Sequence, residues 1–252
     1  MRTQFLTVAV IAATSALLLS IMANAADIKV LSTQATEEAY RELVPQFEKA
    51  SGHKVATVFT GTLGAMKRLA DGETYDLIIM SGPSIDELMQ SGKIVSGSRV
   101  DFARSGVGVA VRKGAAKPDI SSTEALKKTL LAAKAIGYST GPSGNYVVSL
   151  FQKMGVADQV KPKLKQTPTG VFVGSLIASG EVEIGFQQVS ELVHFAGIYY
   201  VGPLPADVQF ITTFASGIQS GAKQADAAKA LVKFITAPSA AEVIRKHGLT
   251  PG

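Results

Sequence analysis

Strand and helix patterns alternate through almost the whole chain, which predicts an α/β protein with mixed, mostly parallel sheets flanked by helices. Two further observations divide it into two lobes with a cleft between them. The pattern starts afresh near residue 106. The chain has 252 residues, and setting aside a 25-residue leader leaves 227, enough for two units of about 100 each.

Residues 1–25 read as a signal peptide. Arg2 supplies the positive start, Phe5 to Met22 is nearly all apolar, and Ala23-Asn24-Ala25 is a small-x-small cleavage site. The apolar run approaches membrane-spanning length. The cleavage site, followed at once by a strand pattern, favours removal and delivery of a chain starting at Ala26 to the periplasm. Without cysteine there is no disulfide, thiolate nucleophile or zinc-thiolate site, so stability rests on an apolar core. Losing Arg2 lowers the formal charge from +5 to +4, and the cations are scattered without an aromatic-interleaved stripe. Nucleic acid is thereby excluded as the expected partner, and a weak steering field for anions remains. A monomer is expected.

The elements follow in order. Ile28 to Leu31 is a strand, and Glu37 to Ser51 a helix with Tyr40, Leu43, Val44 and Phe47 on one face. Lys54 to Phe59 is a second strand, Gly64 to Ala70 a helix, and Tyr75 to Met80 a buried parallel strand before a short helix at Ser84 to Gln90. Gly106 to Val111 is the strand on which the pattern restarts. Helices at Thr123 to Ala133, Gly144 to Met154, Val171 to Ser179 and Ser190 to His194 then alternate with strands at Ala135 to Tyr138, Ile184 to Gln187 and Tyr199 to Val201. Gln209 to Ala215, Ala225 to Ile235 and Ala240 to Lys246 complete the set, and Gly248 suits a C-cap.

Five polar turns follow strands, where ligands of such sheets sit. They are Ser32-Thr33-Gln34, Thr60-Gly61-Thr62 with Gly64, Ser81-Gly82, Ser139 to Gly144, and Gln187-Gln188. A strand that ends in hydroxyl, amide and glycine residues and runs into a helix presents free backbone N–H groups, which suit an anion. Ser, Thr and Gly are also ordinary capping and turn residues. What favours a site is that the turns share uncharged hydrogen-bonding chemistry and converge on one crevice. Tyr146, one helical turn in, is a further candidate contact or a core residue. The candidate ligand-binding set is therefore Ser32, Thr33, Gln34, Thr60, Gly61, Thr62, Gly64, Ser81, Ser139, Ser143, Gly144, Tyr146, Gln187 and Gln188.

No metal or cofactor is expected. His53, His194 and His247 share no metal-ligand spacing, and neither a Gly-x-Ser-x-Gly elbow nor a Walker loop is present. If the site is catalytic, Tyr146 and Glu191 are the candidate acid–base groups, with Asp76 assigned to supporting a strand end.

The order of motifs resembles the periplasmic solute-binding proteins of the molybdate-binding type, from about Asp27 to Leu249. The resemblance rests on Gln46-Phe47, Tyr75-Asp76-Leu77-Ile78-Ile79 with Ser81, Pro142-Ser143-Gly144 with Gly155, Ile184-Gly185-Phe186, and Pro238-Ser239-Ala240-Ala241. It implies the type 2 periplasmic binding protein fold, an ATP-binding-cassette permease as partner, and two lobes closing on a small anion: 27–105 plus 208–252 for the first and 106–207 for the second, with chain crossings near Arg104 to Val109 and near Val208. Several donors of that family's oxyanion site are replaced: Ala35 stands where a liganding serine is usual, Gly61-Thr62-Leu63-Gly64 replaces a serine-rich turn, and Gln187 falls near a usual tyrosine.

Gly185 to Leu192 and Ser98-Arg99-Val100-Asp101 are similar to the branch that contains bacterial aconitate isomerases. That branch implies an organic di- or tricarboxylate, such as aconitate, as the ligand. Three functions follow in order: binding of such a carboxylate, isomerisation of trans- to cis-aconitate by allylic proton transfer, and molybdate or tungstate binding for a transporter.

Overall fold

The computed structural model describes residues 25–252, so the signal-peptide assignment lies, apart from Ala25, outside the described residues. In chain order the elements are β1 (Asp27–Thr33), α1 (Glu37–Ser51), β2 (Lys54–Thr60), α2 (Thr62–Ala70), β3 (Leu77–Ser81), α3 (Gly82–Gln90) and β4 (Val100–Arg112). Then come α4 (Thr123–Ala132), β5 (Ile136–Tyr138), α5 (Pro142–Lys153), α6 (Ala157–Val160), β6 (Leu164–Gln166), α7 (Val173–Ser179), β7 (Ile184–Gln188) and α8 (Val189–Leu192). The chain ends with β8 (Ile198–Pro203), β9 (Ile211–Ile218), α9 (Ala225–Ile235), α10 (Ala241–Lys246) and β10 (Thr250–Pro251).

The strands run in the order β2-β1-β3-β9-β4-β7-β5-β6, with β8 and β10 also paired to β4. The outer pairs, β2-β1-β3 and β7-β5-β6, are parallel, as α/β alternation requires. The middle is antiparallel, because β4 and β9 carry the chain between the halves in opposite directions. From Val100 to Gly106 strand β4 pairs with β9, and from Val107 to Val111 it pairs with β7. The sequence pattern locates only the second stretch, since Ser105-Gly106 interrupts the apolar run. The backbone continues through that interruption by changing partner.

Each half has its own core. In the first, Tyr40, Leu43 and Phe47 of α1 pack with Leu231 and Ile235 of α9 on one sheet face, while Ala65, Leu69, Ile85 and Leu88 of α2 and α3 cover the other. In the second, Leu126, Val147, Leu150 and Phe151 cover one face and Val173 and Ile177 the other. Each such fully buried large side chain contributes roughly 1.5–3 kcal/mol. The result is a two-lobed, mixed α/β fold whose strand carboxyl ends face each other across the junction. Among the described residues no helix is long and apolar enough to cross a membrane.

Candidate functional site

A narrow crevice lies at those carboxyl ends. The first half lines it with Thr33, Gln34 and Ala35 after β1 and with Gly61 and Thr62 at the start of α2. The second half contributes Ser139 to Ser143 at the start of α5, Gly170 and Val171 after β6, and Gln187, Gln188 and Glu191 at the β7–α8 turn. Phe214 of β9, fully buried, lies beneath.

The turns have this form for local reasons. Thr33 accepts a hydrogen bond from the Ala35 N–H through Oγ1 at 3.4 Å, starting the tight turn that leads into α1. Gly61 is the N-cap of α2 and offers no side-chain acceptor, so the first N–H groups of that helix stay free toward the crevice. In α5, Pro142 occupies the first turn, and the Ser139 and Ser143 hydroxyls lie 3.1 Å apart. A Cβ on Gly144 would fall 1.8 Å from the Ser139 carbonyl oxygen, so only glycine allows the helix start to close onto that turn. Helix N-termini from both halves carry partial positive charge toward one space.

Gln187 and Gln188 diverge, as expected at a strand end. The Gln187 Oε1 accepts the Val173 N–H at 2.8 Å, which turns its NH2 toward the Glu191 carboxyl. That bond also caps α7 from outside, so α7 begins at Val173 and leaves Val171 and Phe172 in the loop. The amide nitrogen of Gln188 donates to the carbonyls of Ser105 (3.1 Å) and Gly106 (3.3 Å), and its oxygen accepts from the Thr212 hydroxyl (2.8 Å). It therefore binds β7 to both crossing strands as well as lining the crevice.

Glu191 is the crevice's single ionisable side chain; no Lys, Arg or His lines it. The residue is half-buried, and the loss of water around its carboxyl pushes its pKa up to about 8. Hydrogen bonds from the Gln188 backbone and the Gln187 side chain oppose this rise, and the charge of Glu37 adds to it. The group is thus a neutral acid at pH 7.

Other candidates lie elsewhere. Ser32 is fully buried and its hydroxyl bonds Thr36 at 3.0 Å, so it holds the turn from behind. Thr60 and Gly64 pack on each other, with a Cβ on Gly64 falling 2.3 Å from Thr60 Oγ1. Ser81 bonds Ser84 at 2.9 Å at the start of α3, outside the crevice. Tyr146 also points away: its ring stacks on Phe210 at 4.6 Å and its hydroxyl donates to the Val208 carbonyl at 2.7 Å. Burial, then Asp207, raises its phenol above the usual tyrosine range. Of the two acid–base candidates, only Glu191 reaches the crevice.

The Thr169-Gly170 loop and Phe214 carry no mark in the sequence reading. The short strand before that loop has no apolar run, although Pro168-Thr169-Gly170 is a turn signature after it. Spacing likewise hides a contact among histidines. His247 Nδ1 lies 3.0 Å from His194 Nε2, and its Nε2 lies 2.8 Å from Glu42 Oε2. Lys246, then His247, holds the Glu42 carboxyl below the usual range. Among the described residues, no group of three or more His, Cys, Asp or Glu side chains is placed to hold a metal. A larger, more open groove lies between Arg112, Lys117 and Glu183 at the far ends of β4 and β7 and contains no candidate residue.

Comparison with known proteins places this geometry in a family. The model of the bacterial extracellular solute-binding proteins matches residues 28–250. An aconitate isomerase from Pseudomonas sp. is 36% identical over 230 residues, which cover 89% of this chain and 87% of that one. The molybdate-binding protein ModA of Azotobacter vinelandii is 29% identical, covering 92% of each. The solved periplasmic molybdate-binding protein of Azotobacter vinelandii superposes with a TM-score of 0.74 over 88% of this chain and 98% of its own, at 19% identity, a likeness of fold. The chain belongs to the bacterial extracellular solute-binding proteins, in the branch that joins ModA and aconitate isomerase.

Proposed function

We propose that this protein binds a small organic di- or tricarboxylate in the crevice, in the periplasm after removal of residues 1–25, with an ATP-binding-cassette permease as partner. One observation carries the reading: both halves direct uncharged donors and helix N-termini at a single space whose sole ionisable side chain is a carboxylic acid. Such a space suits an anion, because fixed N–H dipoles replace the hydration shell without a counter-charge. A neutral acid on the wall adds a donor well matched to a carboxylate. The donors are spread around the crevice from Thr33 to Ser143, which suits a ligand with several separated carboxylates. Ala35 offers no hydroxyl beside Thr33, one donor fewer for a compact tetrahedral oxyanion. The 36% identity to an aconitate isomerase makes aconitate the first compound to try.

The test is calorimetric titration with trans-aconitate, cis-aconitate, molybdate and tungstate. Micromolar or tighter binding of an aconitate is expected. Tight binding of molybdate alone would reverse the order and make the transport of that oxyanion the function.

A second reading, aconitate isomerisation, is favoured by Glu191. In an allylic shift one base removes a proton from the CH2 carbon of trans-aconitate, the double bond moves, and the proton returns to the former vinylic carbon. To take the first proton Glu191 must be ionised in the complex, the opposite of the protonation state that suits a receptor, so the two readings part at this residue. Appearance of cis-aconitate in a proton NMR time course establishes turnover. Binding without any conversion leaves the protein as a receptor.

A further inference from the structure

We propose that Glu191 enters the ligand complex as a neutral acid and donates its proton in a hydrogen bond to a ligand carboxylate, so that the site takes up its anion together with one proton. The inference rests on the carboxylate-binding reading above and adds the protonation state in which that site works.

The geometry leaves Glu191 little choice. The donors beside its carboxyl, the Gln187 amide and the Gln188 backbone N–H, are neutral. The Gln187 amide cannot turn away, because its oxygen is held by Val173 N–H at 2.8 Å. The charged group that acts on Glu191 is Glu37 at the start of α1, which has the same sign and is itself paired with Arg41 at 2.6 Å. Of the other elements packed against α8, β7 has no charged side chain, and β8 presents only the phenols of Tyr199 and Tyr200. None of the charged residues of β4 (Asp101, Arg104, Arg112) lines the crevice. His194, further along the same segment, is turned to His247 at 3.0 Å.

An ionised Glu191 would therefore face the incoming anion with no cation among the residues that line the crevice. Two like charges so placed disfavour each other strongly, and the cheapest relief is a shared proton. Burial already puts the free carboxyl at about 8. The neighbouring ligand charge raises it further, so the complex keeps its proton well into alkaline solution.

The consequence is a defined pH profile. Below pH 7 Glu191 is protonated before the ligand arrives, and affinity is flat. Above about pH 8 the free site must first gain a proton, so Kd rises about tenfold per pH unit and about one proton is taken up per ligand bound. The ligand's own carboxylates titrate far below this range and do not contribute.

Calorimetry of the chain from Ala26 with trans-aconitate, from pH 6 to 9.5 in paired buffers of different ionisation enthalpy, reads both quantities. In Glu191→Gln the pH slope and the proton uptake are expected to vanish together, because the amide donates at every pH. Glu37→Gln removes the like charge and is expected to move the fall in affinity to lower pH. It serves as the test should E191Q fail to fold. Flat wild-type affinity to pH 9.5, a slope that survives in E191Q, or an unmoved profile in E37Q overturns the proton-coupled step while leaving carboxylate binding intact. Failure of every carboxylate to bind at any pH overturns the site reading, and this inference with it.

Discussion

Asp76 and Glu191 are two carboxyl groups at opposite ends of the same sheet system, and their surroundings assign them opposite tasks. Asp76, 4% exposed, stands just before β3. Its Oδ2 accepts the Lys29 N–H and its Oδ1 the Gln224 N–H, each at 2.8 Å. Both oxygens act as acceptors for backbone groups that have no other purpose there, and the start of α9 is thereby fixed to β1 and β3. Glu191 has neutral partners, a like charge opposite and an open crevice on its remaining side. What separates their tasks is the set of partners: two backbone N–H groups fix both oxygens of Asp76, whereas no such pair fixes Glu191.

The comparison breaks most visibly at Asp76. Asp76→Ala orphans two part-buried N–H groups, and a fully buried one costs about 1–3 kcal/mol. A loss of about 3 kcal/mol is expected in urea unfolding, with the pH profile of ligand binding unchanged. A loss below 1 kcal/mol would mean that water replaces the carboxylate and that Asp76 is no keystone.

The reverse holds at Glu191. Its pKa rises on folding from an ordinary 4.5 to about 8, so the folded state holds the proton that the unfolded state releases. The contribution of Glu191 to stability is therefore full below about pH 4.5 and is lost as pH rises to about 8. Glu191→Gln removes that decline. Between pH 5 and 7 the ligand-free variant is expected to gain about 2.5 kcal/mol on the wild type. Equal pH dependence of the two unfolding midpoints would return Glu191 to the ordinary carboxylate range.

The same contrast explains what the sequence could reveal. The β/α alternation, the restart of the pattern near residue 106 and the polar turns at Thr33-Gln34, Gly61-Thr62, Ser139 to Ser143 and Gln187-Gln188 are local signals. Each needs only the few residues that form it. Asp76 was legible as a strand-end support because it precedes an unbroken apolar strand. The direction of a side chain is not local. Ser32 and Tyr146 sit in the right turns, yet Thr36 and Phe210 draw them away from the crevice, and neither partner is marked in the string. Glu191 on its short turn looks like an ordinary capping acid; its neutrality arises first from burial and then from the charge of Glu37, both of which only the fold supplies. The Thr169-Gly170 loop is not legible because β6 is three residues long and two of them, Lys165 and Gln166, are polar.

The smallest effect lies between the two halves, far from either carboxyl group in purpose. Gln34 Nε2 donates to the Gly170 carbonyl at 3.0 Å, joining the turn after β1 to the loop after β6 at the crevice mouth. A partly exposed neutral hydrogen bond of this kind contributes about 0.5–1 kcal/mol. Because it exists only when the two turns meet, its loss acts on the closed arrangement and leaves the core of each half untouched. Gln34→Ala is therefore expected to speed ligand release about two- to fivefold in stopped-flow measurements, with the unfolding midpoint unchanged. A fall in stability with unaltered release would show that the contact supports the fold and does not gate the crevice. The carboxylates differ in what they hold in place, whereas Gln34 differs from both in when its bond is made.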